Sequence, residues 1–476
     1  MSGPAAGPAP GADTVTDAFS GTGPVAGPLA QAYGRWALTS VEVGAARRLV
    51  PSAPDPADWS DPKVGWGLVL PDAPGLDPDA LARAEDAEPP LRRLLAARRG
   101  RVLRYRAGSG YADWTLRDLA GGGDLLTAAS PAGSGPLELP MYLLIHGTPE
   151  QIPWQVQYAL NPVRHVGRLD LTGEPLARYV DALLDGWSGS AVRYEAPVVW
   201  SVDLGEGPQD ITTLMRDAVG APLYALLAAD PDMPAAVFVD GSATGADGAA
   251  LGEALASARP ALAVTTSHGL TGPVDDPVRL REGLGLPVGQ DRTPVRPQDL
   301  LAGWQPDGAV WVARACCSAG SDSPSAYHGL FEPGSPVDRT LDGVAGSGAA
   351  VAPLPRALLG AERPARAFVG QVEPAFDWTM SFPPNRQRLT SQLVEAALYR
   401  GLCLGLPVGL AMAPYYEPVG SLLLQYARAA GVYGTSVREA ARTALDLALY
   451  SKVTAYDRAA TVILGDPTAA LRLPGR

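Results

Sequence analysis

Short apolar runs of β-forming residues alternate with longer stretches of helical periodicity along most of this chain. The runs at 64–71 (V-G-W-G-L-V-L-P), 101–106, 141–146 (M-Y-L-L-I-H), 197–202, 235–240, 263–267, 309–313, 366–372 and 461–464 read as strands. Each is rich in Val, Ile, Leu or aromatic residues and stops at Gly, Pro, Asp or a reactive side chain. Helical periodicity marks 81–99, broken at its prolines, then 175–187, 211–228, 251–258 and 297–303. It returns at 388–402, around 420–430 and at 436–460. Strands alternating with helices predict an α/β fold: a mostly parallel sheet with helices on both faces.

Composition divides the chain further. Residues 1–28 are Gly/Pro/Ala-rich and are expected to form a disordered tail. Residues 29–137 form an N-terminal accessory region, closed by a linker-like stretch from Ser130 to Pro136. Segments 138–230 and 231–384 carry the strand–helix alternation, and 385–476 is a helical part ending in a sheet strand.

Two of the strands end abruptly in a reactive residue. A-V-T-T-S leads into His268-Gly269, and A-V-W-V-A-R-A leads into Cys316-Cys317. Open α/β sheets place their sites at the carboxyl ends of strands, so neighbouring parallel strands would bring His268 and Cys316 together. A thiol attacks a carbonyl as thiolate, and an imidazole within reach can hold that form near neutral pH. The backbone N–H groups of Gly269 and Cys316 are then placed to receive the developing oxyanion.

Charge and cysteine content narrow the classes. A net charge of −12 argues against extended nucleic-acid binding. The three cysteines (316, 317 and 403) do not make a disulfide framework, and reduced thiols in a cytoplasmic protein are the simpler reading. Neither the cysteines nor the four histidines show zinc-ligand spacing, so no metal or cofactor is expected. Residues 1–30 lack a basic start and an apolar stretch, so no signal peptide is expected. The apolar stretch 402–412 is short and contains Pro407, so no membrane insertion is expected. A G-x-S-x-G elbow, a P-loop and an H-E-x-x-H helix are all missing from the sequence.

The order of motifs resembles the caspase–gingipain clan of cysteine peptidases, including the bacterial CHAT type. Strand-S-H-G precedes strand-A-C by about 50 residues, the caspase order. Around that pair, 142–169 (Y-L-L-I-H-G-T-P-E-Q-I-P…V-G-R-L) resembles the first gingipain-like subdomain, as do 315–320, 370–382 and 463–473 their counterparts in the clan. The resemblance covers about two-thirds of the chain, from 138 to 473. It implies two pseudo-related subdomains, a gingipain-like one over 138–230 and a caspase-like catalytic one over 231–384. It further implies a His–Cys dyad with Cys316 as nucleophile, His268 as its base, and Gly269 and Cys316 as oxyanion hole.

Cys317 competes with Cys316 for the nucleophile, and Ala315 before Cys316 favours the latter. His146 also ends a strand before a Gly, but the resemblance makes it structural. Arg314, two residues before the nucleophile, stands where the clan lines its specificity pocket, and a guanidinium there would attract a carboxylate. Glu373 and Asp377 are the alternative pocket groups, suited to a basic side chain. Gln371 stands where relatives often have His. Asp240 and Asp203, at strand ends, are candidates for orienting His268.

The function implied is a cysteine endopeptidase acting on a protein substrate, in bacterial defence or regulated cell death, with an activating protein partner. The alternative is a catalytically inactive caspase-fold scaffold. The loop Ser318–Pro336 and the Arg-rich segment 92–106 are the candidate control points.

Overall fold

The computed structural model describes residues 13–16, 25–28, 54–73, 75–108, 115–207, 210–380, 389–435 and 438–471. The chain forms two compact units, 1–53 and 54–476. In the first, Asp13–Thr16 pairs antiparallel with Val25–Pro28. The remainder of the expected tail, 1–28, lies outside the described residues.

The second unit is built on a sheet of twelve strands. In chain order they are β1 (Trp66–Pro71), β2 (Arg101–Tyr105), β3 (Thr115–Asp118), β4 (Gly123–Leu126), β5 (Tyr142–His146) and β6 (His165–Leu169). They continue with β7 (Val198–Ser201), β8 (Val237–Asp240), β9 (Leu262–Thr266), β10 (Val310–Arg314), β11 (Ala367–Gln371) and β12 (Thr461–Gly465). Across the sheet the order is β8-β7-β9-β10-β11-β12-β6-β5-β1-β2-β3-β4.

Strands β8, β7, β9, β10 and β11 run parallel to one another. β12 is antiparallel to β11, and on its other side β6, β5, β1 and β2 run parallel to one another. β3 and β4 finish that edge as an antiparallel hairpin. The sheet therefore consists of two mostly parallel halves, joined at the β11–β12 seam.

Both faces are buried, which is why the strands read as continuous apolar runs rather than alternating ones. Ala263, Trp311, Phe368 and Leu464 belong to the core on one face, and Val264, Val312, Val369 and Ile463 to the core on the other. On the first face Trp311 lies between Trp304 and Phe368, with centroids 6.0 and 6.5 Å away. Burying each such ring is worth roughly 1.5–3 kcal/mol. Tyr415 and Tyr416 pack on the second face.

The region 29–137 is more than an accessory. From residue 66 it supplies four strands to the sheet, and Trp66 donates to Asp466 at 3.1 Å. The stretch Ser130–Pro136 is not a linker between separate bodies. Ala132 bridges to Leu139, and the Ser134 N–H bonds the Pro62 carbonyl at 2.8 Å, so it is held within the unit. The segment 138–230 likewise contributes to both halves, because its strand β7 lies between β8 and β9.

Of the arginines of 92–106, Arg92, Arg93, Arg99 and Arg106 are exposed, as a solvated face would have them, and the other three are held in ion pairs. Arg98 is paired with buried Asp466, Arg101 with Asp118, and Arg104 with Asp86. Their backbone forms the helix Pro89–Arg98 and strand β2, not an exposed loop.

Candidate active site

Strands β9 and β10 pair in register, with Thr266 opposite Arg314. Just past their ends the Ser267 N–H donates to the Arg314 carbonyl at 3.2 Å, so His268 and Cys316 emerge side by side at one sheet edge. His268 and Gly269 then pair with Pro287–Val288, and His268 is exposed. Gly269 lies against the Cys316–Cys317 turn: a Cβ there would sit 1.9 Å from the Cys316 carbonyl oxygen. Gly285 approaches from the other strand of that ribbon at φ +65°, and its Cβ would sit 2.0 Å from the Cys317 oxygen. These two glycines are required by close backbone approach.

The adjacent cysteines have different environments. Cys316 is partly exposed. Cys317 has φ 55° and is fully buried among Leu280, Leu284 and Val344. Burial pushes the Cys317 thiol far up, so it stays protonated and inert. Burial also raises the Cys316 thiol, and the Asp457 carboxylate adds to that. The Ala375 and Cys316 amides and the Arg314 guanidinium pull the other way.

Sγ of Cys316 accepts from the Ala375 N–H at 3.3 Å and lies 3.6 Å from the Ala375 carbonyl. Among the described residues no hydrogen bond links it to the His268 ring, and the Cys316 N–H donates to no backbone carbonyl of another residue.

The residues expected to recognise substrate are placed as follows. Arg314 is 8% exposed, stands 3.9 Å from Asp457 and lies over the Tyr415 ring at 6.0 Å. Burial acts first on this guanidinium, against its charge, but Tyr415, Asp457 and Cys316 together hold it further protonated. Gln371 donates to the Asp457 carbonyl at 2.8 Å and to its carboxylate at 3.1 Å, while accepting from Thr461. It thus fastens the end of β11 to the helix Arg438–Ala459.

Glu373 is 1% exposed, and its carboxylate bonds Ser325 and Ala326, so a substrate-contact role does not fit its placement. Asp377 is exposed, on a short 3-10 turn after β11.

Neither candidate orienting carboxylate bonds His268. Asp240 accepts two bonds from Arg216 at 2.6 Å, and that guanidinium holds it down at about 2. Asp203 accepts from Thr213 and the Gly205 N–H. His146 ends β5, in the other half of the sheet, with Nε2 3.0 Å from the Leu171 carbonyl. Spacing along the chain did not mark Asp457, which lies far beyond β11 in sequence and reaches Arg314 from the helix Arg438–Ala459, held by Gln371. A cavity of about 1080 Å³ between the helices Pro418–Thr435 and Arg438–Ala459 includes neither His268 nor Cys316 in its lining.

No protein-family model, curated protein or solved structure matches the chain. Among the described residues no helix is long and apolar enough to cross a membrane.

Proposed function

We propose that this chain is a caspase/gingipain-like cysteine endopeptidase with Cys316 as nucleophile and His268 as the base that draws off its proton. The observation that carries this reading is the adjacency of the two residues at the carboxyl ends of paired parallel strands. Strand order supports it too. Numbered from β7, the half that bears the site runs 2-1-3-4-5-6 with its sixth strand reversed, and the two residues follow its third and fourth strands, which are parallel neighbours.

In the proposed reaction the Cys316 Sγ proton passes to the imidazole as sulfur attacks the scissile carbonyl. The Cys316 N–H, with no other backbone acceptor, and Gly269, packed against the same turn, then hold the oxyanion. The protonated imidazole gives its proton to the leaving amine, and water hydrolyses the thioester. No cofactor takes part. Arg314 already has its charge countered by Asp457, so a preference for acidic side chains is not part of the proposal.

The first test is cleavage of a fluorogenic peptide library by wild type, Cys316→Ala, Cys317→Ala and His268→Ala. Loss of activity in Cys316→Ala and His268→Ala, with Cys317→Ala active, is expected. Full activity in Cys316→Ala would overturn the proposal.

One observation favours a non-catalytic scaffold instead: the thiol is raised by burial and engaged by Ala375. Failure of every thiol-directed peptide probe to label Cys316 would favour that reading.

A further inference from the structure

We propose that Glu373 is the positioning residue of a strap, residues 373–376, that covers the Cys316 thiol, and that releasing its carboxylate uncovers the nucleophile. This rests on the reading of Cys316 as nucleophile.

The strap leaves β11 and crosses both cysteines. The Glu373 carbonyl accepts the Cys317 N–H at 3.2 Å, and two residues on the Ala375 N–H donates to Sγ of Cys316 at 3.3 Å. Its other side is fastened to the loop that follows the nucleophile. Ser325 Oγ donates to one Glu373 oxygen at 2.9 Å, and the Ala326 N–H donates to the other at 2.8 Å. Ser325 Oγ in turn accepts the Tyr327 N–H at 3.2 Å. Phe376 meets the Tyr327 ring edge-on at 5.1 Å and lies 5.4 Å from Phe331. One carboxylate therefore joins the strap to the loop 325–327, and the strap joins that loop to the thiol.

This carboxylate is buried without a cation beside it among the described residues, which favours its protonated form. Burial raises it to about 7, with Asp322 adding to the rise. A group whose closed-state pKa is raised favours closure fully at acidic pH and loses that contribution as pH climbs through about 7. The groups facing it are Asp322 and Tyr327 from the loop, Tyr158 from the helix Trp154–Leu160, and Cys317 from the nucleophile turn. Both tyrosines and Cys317 are pushed up by burial and stay neutral. Asp322, itself raised to about 6, acts in the same direction as Glu373.

The test is the rate of Cys316 alkylation by iodoacetamide in the full chain, with the label located by peptide mass spectrometry. Glu373→Ala and Ser325→Ala are expected to react faster at pH 6, where Glu373 is mostly neutral, by about fivefold, the scale of one lost neutral hydrogen bond. Glu373→Gln keeps the shape without the titration, so the ratio of wild-type to Gln rates is expected to climb between pH 5 and 8. Equal rates in all variants, or a flat ratio, would overturn the strap. If Glu373→Ala does not fold, Ser325→Ala carries the rate test and Glu373→Gln the pH test. Peptide cleavage on the same samples separates the two proposals. Fast alkylation without cleavage leaves the strap and sinks the peptidase; cleavage with unchanged alkylation does the reverse.

Discussion

The guanidinium of Arg314 stands 3.9 Å from the carboxylate of Asp457, both buried, two residues before the candidate nucleophile. The carboxylate disfavours a thiolate at Cys316, and the guanidinium favours one. Asp457→Asn is therefore expected to move the alkylation midpoint of Cys316 to lower pH, and Arg314→Met to higher pH. Leaving Arg314 buried and unpaired in Asp457→Asn should also cost about 3–5 kcal/mol in denaturant unfolding. Midpoints that move together in one direction would refute this charge balance.

His165 offers a separate pH test, remote from the thiol. It is 8% exposed and packs on Tyr142 at 4.8 Å; burial pulls it down to about 4 despite a bond to Gly409. A depressed histidine favours the folded state fully above its ordinary value near 6.5 and loses that contribution as pH falls towards 4. A difference of this size is worth about 3 kcal/mol between pH 7 and 4. His165→Gln should flatten that part of the stability–pH curve, followed by urea unfolding. An unchanged slope would place the acid sensitivity elsewhere.

Gly269→Ala tests the close approach of the two strand ends. With a Cβ 1.9 Å from the Cys316 oxygen, the Cys316–Cys317 turn must shift, at a cost of about 1–3 kcal/mol. Thermal unfolding should register that loss, and peptide cleavage should fall more than it does in Gly252→Ala, where the Cβ meets nothing.

The two neighbouring thiols should behave oppositely. In the native protein, iodoacetamide is expected to modify Cys316 and spare Cys317, whose side chain packs with Leu280, Leu284 and Val344. Native labelling confined to Cys317 would reverse the nucleophile assignment.

Much of the parallel sheet was legible because strands buried on both faces leave unbroken apolar runs; 142–146, 262–266 and 310–314 show this. Short half-buried strands leave no such signal. Thr115–Asp118 (TLRD) and Gly123–Leu126 (GDLL) hold one and two large apolar residues over four positions, too few to stand out. The helix Pro336–Gly346 was not among the expected elements; it begins where the loop Ser318–Pro336 ends. Its start was nonetheless marked by Ser335, which caps it, and by Pro336 at its first turn.

The site was legible as far as His268 and Cys316, since each ends a strand. The partners of Glu373, Arg314 and Asp457 were not. They depend on which loops and helices fold over the sheet edge, and residue spacing along the chain does not contain that.

β12 is the last of the twelve strands along the chain, yet it lies in the middle of the sheet, between β11 and β6. During synthesis, every other strand leaves the ribosome before the one that splices the two halves together. Until Thr461–Gly465 arrives, β11 and β6 each present a bare edge, and the helix end that brings Asp457 to Arg314 has no anchor. The fold thus leaves the sheet edge that carries Cys316 unfinished in any chain whose translation stops early.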